Sequence, residues 1–329
     1  MRIIIDSDPA MGTLGGDPED CFALMLALNS PELVVEGITI VQGNVPAEKG
    51  YSNAHHLLRM LGREDVPLRR GCLRPLDPGR EVQISFLESR RDLEQITETV
   101  EPEGEDADAV SFLIDRIIAA PGEITLVTIG PLTNIATAIS RSPDFAAAVK
   151  AIVMMGGTAA CAGNITPAAE FNYWQDPEAA DIVFRSGATL TMVGLDVCHQ
   201  TQLSPAQVEA CVERGSPLAK FVVEATKPWF SIMASGEGSE RLHLYDSLAM
   251  AVAIDPGLVT LEESWVAIET GDSPAQGMSV SHHKRFQRII ARHMETNARV
   301  ALEVDADRFH ALFKTRVLDF VRDYKVSAG

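Results

Sequence analysis

Five carboxylates fall within fifteen residues near the start of the chain. Asp6 and Asp8 follow the apolar run Ile3-Ile4-Ile5, and Asp17, Glu19 and Asp20 follow the glycine-rich loop Gly12-Thr13-Leu14-Gly15-Gly16. Hard cations such as Ca²⁺ or Mg²⁺ take several converging carboxylate oxygens. No His or Cys cluster lies near enough to favour a softer metal. One such acid is explained by a helix start, where Asp17 suits an N-cap and Glu19 a first turn. Five acids, two of them at a strand end, favour metal binding. The glycine loop has neither the Walker Lys-Ser/Thr pair nor GxGxxG spacing, and its acidic surroundings repel phosphate.

A second polar set is amide-rich. Asn44 follows the segment Val34–Val41, and Asn164, Glu170 and Asn172 follow Gly156-Gly157. A carboxylate between amides both donates and accepts, which suits a polyhydroxylated ligand such as a sugar. The same side chains also serve to knit a loop together, and the residues alone do not separate the two readings. Late in the chain, Tyr245-Asp246-Ser247 precedes the apolar run Leu248–Ile254. Asp246 there is either an N-cap or a further acid of the site.

The elements that position these groups read as an α/β series. The segments Ile3–Ile5, Val34–Val41, Ile124–Ile129, Ala151–Met155 and Leu190–Leu195 read as buried strands. Cys21–Leu28, Pro46–Leu61, Pro131–Ser140 and Pro177–Ser186 read as helices between them. The alternation predicts a mostly parallel open sheet flanked by helices, in which ligands bind beyond the carboxyl ends of the strands. With no linker or internal repeat, residues 1–329 read as a single domain. Glu88–Asp108 reads as a solvated helix and loop, His282-His283-Lys284-Arg285 as a solvated loop, and Ser231–Leu244 as a mobile loop beside a site.

Composition narrows the partners. A 46% apolar fraction is that of a globular chain, and the formal charge of -18 disfavours nucleic acid and anionic membrane surfaces. No apolar run approaches the ~18–20 residues of a membrane span, and the N-terminal apolar stretch is too short for a signal peptide. Five scattered cysteines without a CxxC pair point to a reduced, cytoplasmic protein.

These residues also carry a resemblance. Ile4-Ile5-Asp6-Ser7-Asp8-Pro9 with Asp20-Cys21-Phe22-Ala23-Leu24, the segment Gly37-Ile38-Thr39 to Gly43-Asn44-Val45, and above all Gly122–Gln200 (with ITLVTIGPLTNIATA, IVMMGG, GNITPAAEFN and LTMVGLDVCHQ) are similar to the nucleoside hydrolases of the inosine–uridine-preferring N-ribohydrolase type. RVALEVDADRF, at Arg299–Phe309, adds a weaker match. The resemblance covers most of the chain and is thin at Arg74–Asp108 and Leu203–Arg241.

It implies Ca²⁺-dependent hydrolysis of a small-molecule ribonucleoside to ribose and free base. Asp8, Asp20, the backbone carbonyl of Ile129 and Asp246 would be the Ca²⁺ ligands, and Asp8 also the base that takes a proton from water. Asn44, Asn164, Glu170, Asn172 and Asp246 would hold the ribose hydroxyls, with Met155 near the sugar. Glu19 stands where the family has an Asp that touches the ribose. A homo-oligomer, dimer or tetramer, follows by the same analogy. Three features depart from the pattern. The loop between Asp8 and Asp20 is longer, so that Asp17 could replace or join a ligand. Tyr245 stands where many members have the His that protonates the departing base, with His243 two residues earlier. No His occupies the segment near Ser85. The departures fall on the base side, and leave two further readings: a hydrolase of another N-riboside such as nicotinamide riboside, or a ribose or nucleoside binder without catalysis.

Overall fold

A computed structural model describes residues 1–236, 240–283 and 294–324. Six strands open the series, β1 Arg2–Ser7, β2 Val34–Ile40, β3 Leu68–Arg70, β4 Ile124–Thr128, β5 Ala151–Met155 and β6 Leu190–Val193; all but the three-residue β3 match the strands read from the sequence. Two short strands, β7 Gln202–Leu203 and β8 Leu242–His243, pair separately. Three more, β9 Val259–Ile268, β10 Ser279–His283 and β11 Ala298–Val304, complete the main sheet.

The main sheet has nine strands in the order β10-β9-β11-β6-β5-β4-β1-β2-β3. From β11 to β3 every pairing is parallel, and β9 joins antiparallel to both β10 and β11. The apolar runs are continuous because the sheet is covered on both faces. Ile3 and Ile5 of β1 pack with the helices Glu19–Leu28 and Tyr245–Ile254 on one face. Ile4 packs with Ala109–Ala119 and Thr133–Arg141 on the other. Parallel pairing then carries the ends of β1, β2, β4 and β5 to one edge, so that Asp8, Asn44, Ile129 and Met155 become neighbours despite their distance in sequence.

Three sequence readings are corrected. Residues 231–236 belong to the helix Pro217–Gly236 rather than to a mobile loop; residues 237–239 lie outside the described residues. His282 and His283 lie in β10 rather than a loop, and Lys284 and Arg285 fall outside the described residues. Part of the charged run after Glu88 is a structured cover: Glu94 O accepts from Leu14 N at 2.8 Å, Ile96 N donates to Gly12 O at 2.8 Å, and Thr97 is buried against Asn53. Its charges hid the few residues that pack inward. Among the described residues no helix is long and apolar enough to cross a membrane.

Candidate active site

The floor of the site lies at the end of β1. Asp8 and Asp20 are fully buried. Asp20 accepts from Ser7 Oγ at 2.7 Å and from Asp8 N at 3.0 Å. Asn44 ties the two acids together, donating its backbone N–H to Asp8 Oδ2 at 2.6 Å and its side-chain amide to Asp20 Oδ2 at 3.1 Å. Two glycines leave room for Asp8. A Cβ on Gly43 would sit 2.0 Å from Asp8 Oδ2, and one on Gly130 2.6 Å from Oδ1. Asp8 Oδ1 itself is buried and has no hydrogen-bond partner among the described residues. Asp6, although part of the acidic cluster in sequence, faces away and is bonded to Thr39 Oγ1 and Asn134 Nδ2.

Glu19 begins the helix Glu19–Leu28, and Asp246 lies in the first turn of Tyr245–Ile254. Asp246 is not an N-cap. The N-cap position is Leu244, and the acceptor for the first-turn amides comes from Glu19, whose oxygens take Asp246 N at 2.5 Å and Ser247 N at 3.0 Å. Glu19 is therefore occupied in holding Asp246 and does not line the cavity.

Above this floor a cavity of about 190 Å³ is lined by Asn44, Ile129, Met155, Asn164, Glu170, Asn172, His243, Tyr245 and Asp246, all expected from the sequence. A larger cavity of about 490 Å³ lies between the helices Pro205–Glu209 and Pro217–Gly236, away from every one of these residues. The loop-knitting and ligand readings of the polar set turn out to be compatible. Asn164 Oδ1 accepts from Phe171 N at 2.9 Å. Glu170 caps the helix Phe171–Gln175 and also accepts from Gly157 N at 2.9 Å. Asn172 Nδ2 donates to Met155 O at 3.3 Å.

The lining also holds the aromatic residues Phe86, Phe171 and Trp229 beside Tyr245, with Ile165, Met233, Asp17 and Arg90. Most of these were not singled out, since Phe86, Arg90, Trp229 and Met233 lie in or beside the thinly matching segments. Asp17 Oδ1 accepts from Glu19 N at 3.0 Å, and Asp17 lines the cavity while lying close enough to Asp8 and Asp20 that their repulsion adds to burial in raising the carboxylate pKa values there. His243 stacks near Tyr245 at 5.5 Å and near His199 at 5.0 Å. Burial, assisted by His199, pushes His243 down to about 4. Lowering of this kind favours the neutral imidazole in the free site.

The acids on the floor are strongly perturbed. Burial, then repulsion from Asp20, holds Asp8 well above the usual carboxylate range. Burial, then Glu19, does the same for Asp246. Burial raises Asp20 and brings Glu19 to about 7. Buried like charges of this kind are stabilised by a cation or by protons. The donor set fits a hard divalent ion: only oxygens, one of them unpartnered, in a cradle that a Cβ would fill. Among the described residues no three His, Cys, Asp or Glu side chains already close around one point.

The site is thus an acid-floored, amide-walled cavity at the carboxyl edge of a mostly parallel sheet. Residues 3–311 match the family model described as inosine-uridine preferring nucleoside hydrolase, and the chain belongs to that family. It is 31% identical over 322 residues to the probable uridine nucleosidase 2 of Arabidopsis thaliana, covering 97% of this chain and 98% of the relative. It is 36% identical over 324 residues to the pyrimidine-specific ribonucleoside hydrolase RihA of Photobacterium profundum, covering 97% and 99%. The fold superposes on the purine-preferring ribonucleoside hydrolase of Gardnerella vaginalis with a TM-score of 0.82 at 30% identity, covering 98% of this chain and 100% of that one.

Proposed function

We propose that this protein is a Ca²⁺-dependent ribonucleoside hydrolase that cleaves the N-glycosidic bond to give ribose and free base. The observation that carries the reading is the buried pair Asp8–Asp20 with its unpartnered Asp8 Oδ1, lying under a cavity walled by Asn44, Glu170 and Asn172. Asp8, Asp20, the Ile129 carbonyl and Asp246 would hold Ca²⁺. When bound, the ion would orient a water molecule and lower its pKa.

The chain's own groups supply the rest. Asp8 Oδ1, bare and buried, accepts the proton of the attacking water. Asn44, Asn164, Glu170 and Asn172 hold the sugar hydroxyls and so fix C1′ in place. Heterolysis builds positive charge on the ribose, and the acidic floor stabilises it without reorganising. Tyr245 lines the cavity, and its hydroxyl would donate to the departing nitrogen; His243, whose pKa burial lowers, is the less suited proton donor of the two. Family membership supports hydrolysis over a purely binding role. A homo-oligomer in the cytoplasm belongs to the same proposal, and light scattering of the purified protein tests the assembly.

The test is ribose release from a panel of pyrimidine, purine and nicotinamide ribosides, with Ca²⁺ and with EDTA. Uridine heads the panel because the Arabidopsis relative is named for it. Turnover that EDTA abolishes and Ca²⁺ restores supports the reading. Absence of turnover in protein that binds Ca²⁺ and ribose would replace it with the binding-only one.

A further inference from the structure

Breaking an N-glycosidic bond separates charge: the electron pair of C1′–N goes to the base as the ribose becomes cationic. The carboxylate floor answers only the ribose half of that separation. Arg90 is the one Arg or Lys that lines the cavity among the described residues. Its guanidinium lies 4.7 Å over the Phe86 ring, and that ring lies 5.5 Å from Phe171. Its hydrogen bond goes to a backbone carbonyl, Gly15 O at 3.3 Å, rather than to a carboxylate. Burial lowers its pKa from the ordinary value, and Asp17 is close enough for its field to oppose that. The guanidinium stays charged throughout the working range.

We infer that Arg90 is a leaving-group residue, stabilising the negative charge that develops on the departing base. The inference rests on the hydrolase reading above and adds to it a preference for bases with carbonyl oxygens beside the glycosidic nitrogen, such as uracil. The step balances. C1′–N breaks and its electron pair stays on the base nitrogen, facing Arg90. Water oxygen bonds to C1′ and gives a proton to Asp8, and the base nitrogen takes a proton from Tyr245 or solvent. The positive charge of Arg90 thus lies at the anionic end of the transition state, as the floor acids lie at the cationic end.

The test compares two ribosides in the Ca²⁺-supplemented protein. Uridine has a leaving group that needs stabilisation, whereas p-nitrophenyl riboside releases a phenolate that leaves unaided. Arg90→Gln is expected to lose about 100-fold in kcat/KM on uridine, the scale of losing one electrostatic donor, and no more than about threefold on the aryl riboside, with Arg90→Lys recovering part of the uridine loss. Thermal melts of both variants report folding. Equal losses on the two substrates, or an undiminished rate on uridine, would overturn the inference while leaving the hydrolase reading in place. Wild-type protein inactive on both ribosides would overturn the hydrolase reading and this inference with it.

Discussion

Glu19 holds Asp246 from 227 residues away, its carboxylate accepting the Asp246 backbone N–H at 2.5 Å at the start of the helix Tyr245–Ile254. A first turn needs an acceptor for its free amides, and here it comes from another helix. Glu19→Ala is expected to cost about 1 kcal/mol of stability, as a lost N-cap does. Because misplaced groups weaken catalysis steeply, it should also cost about 100-fold in kcat. Melting curves and steady-state kinetics measure the two, and a variant with wild-type kcat would show that Asp246 needs no such anchor.

Asp8 Oδ1 is the exposed end of the proposed chemistry, although buried from solvent. Asp8→Asn should lower kcat by about 10²–10⁴-fold, the range of a lost general base. In the wild type, Ca²⁺ should raise the melting temperature, since an ion that binds the folded state alone stabilises it. A melting temperature indifferent to both Ca²⁺ and EDTA counts against the metal.

Gly43 leaves the space that Asp8 occupies. Gly43→Ala would bring a Cβ to 2.0 Å from Asp8 Oδ2 and 2.9 Å from Pro131 Cδ, so the Asp8 carboxylate would have to swing off its position on the floor. Loss of Ca²⁺ affinity by calorimetry, together with activity, is expected. Retained affinity would mean that Asp8 moves freely.

Glu170 gives a pH signature. Burial raises it from the ordinary 4.5 to about 7. A carboxyl group raised in the folded state stabilises the fold fully below its unfolded pKa, and that contribution is lost as pH rises through about 7. At 1.36 kcal/mol per unit the loss comes to about 3 kcal/mol. Urea midpoints of wild type and Glu170→Gln, compared at about pH 4.5 and about pH 8, should converge or cross as pH rises. A pH-independent difference between them would refute the assignment.

Much of this was legible in the sequence, because strand ends are. Ile3-Ile4-Ile5 has both faces buried and reads as a continuous apolar run, so the acids after it fall at a carboxyl edge. Asn44, Ile129 and Met155 were recognisable for the same reason. Two kinds of residue were not. Asp6 sits in the same acidic motif as Asp8, but it lies within β1, where Thr39 and Asn134 hold it, whereas Asp8 lies just past the strand's last residue, Ser7. Arg90 and Trp229 lie where local charge or helical pattern matches a solvated surface, and only tertiary packing brings them to the cavity. The role of Glu19 was hidden differently: a cap supplied across 227 residues leaves no local pattern to read.

The helix Glu19–Leu28 is buried along nine of its ten residues, Glu19 to Ala27, and packs against Tyr245–Ile254. During synthesis its apolar surface emerges early and its partner arrives more than two hundred residues later, which at about 5–20 residues per second is a wait of roughly ten seconds or more. Nascent chains thus carry an apolar helix covered only on the side of β1 and β2, and a half-built acid floor, for most of their elongation. A chain released before residue 246 can neither close the floor nor shelter that helix, so truncated products are candidates for chaperone capture rather than sources of partial activity.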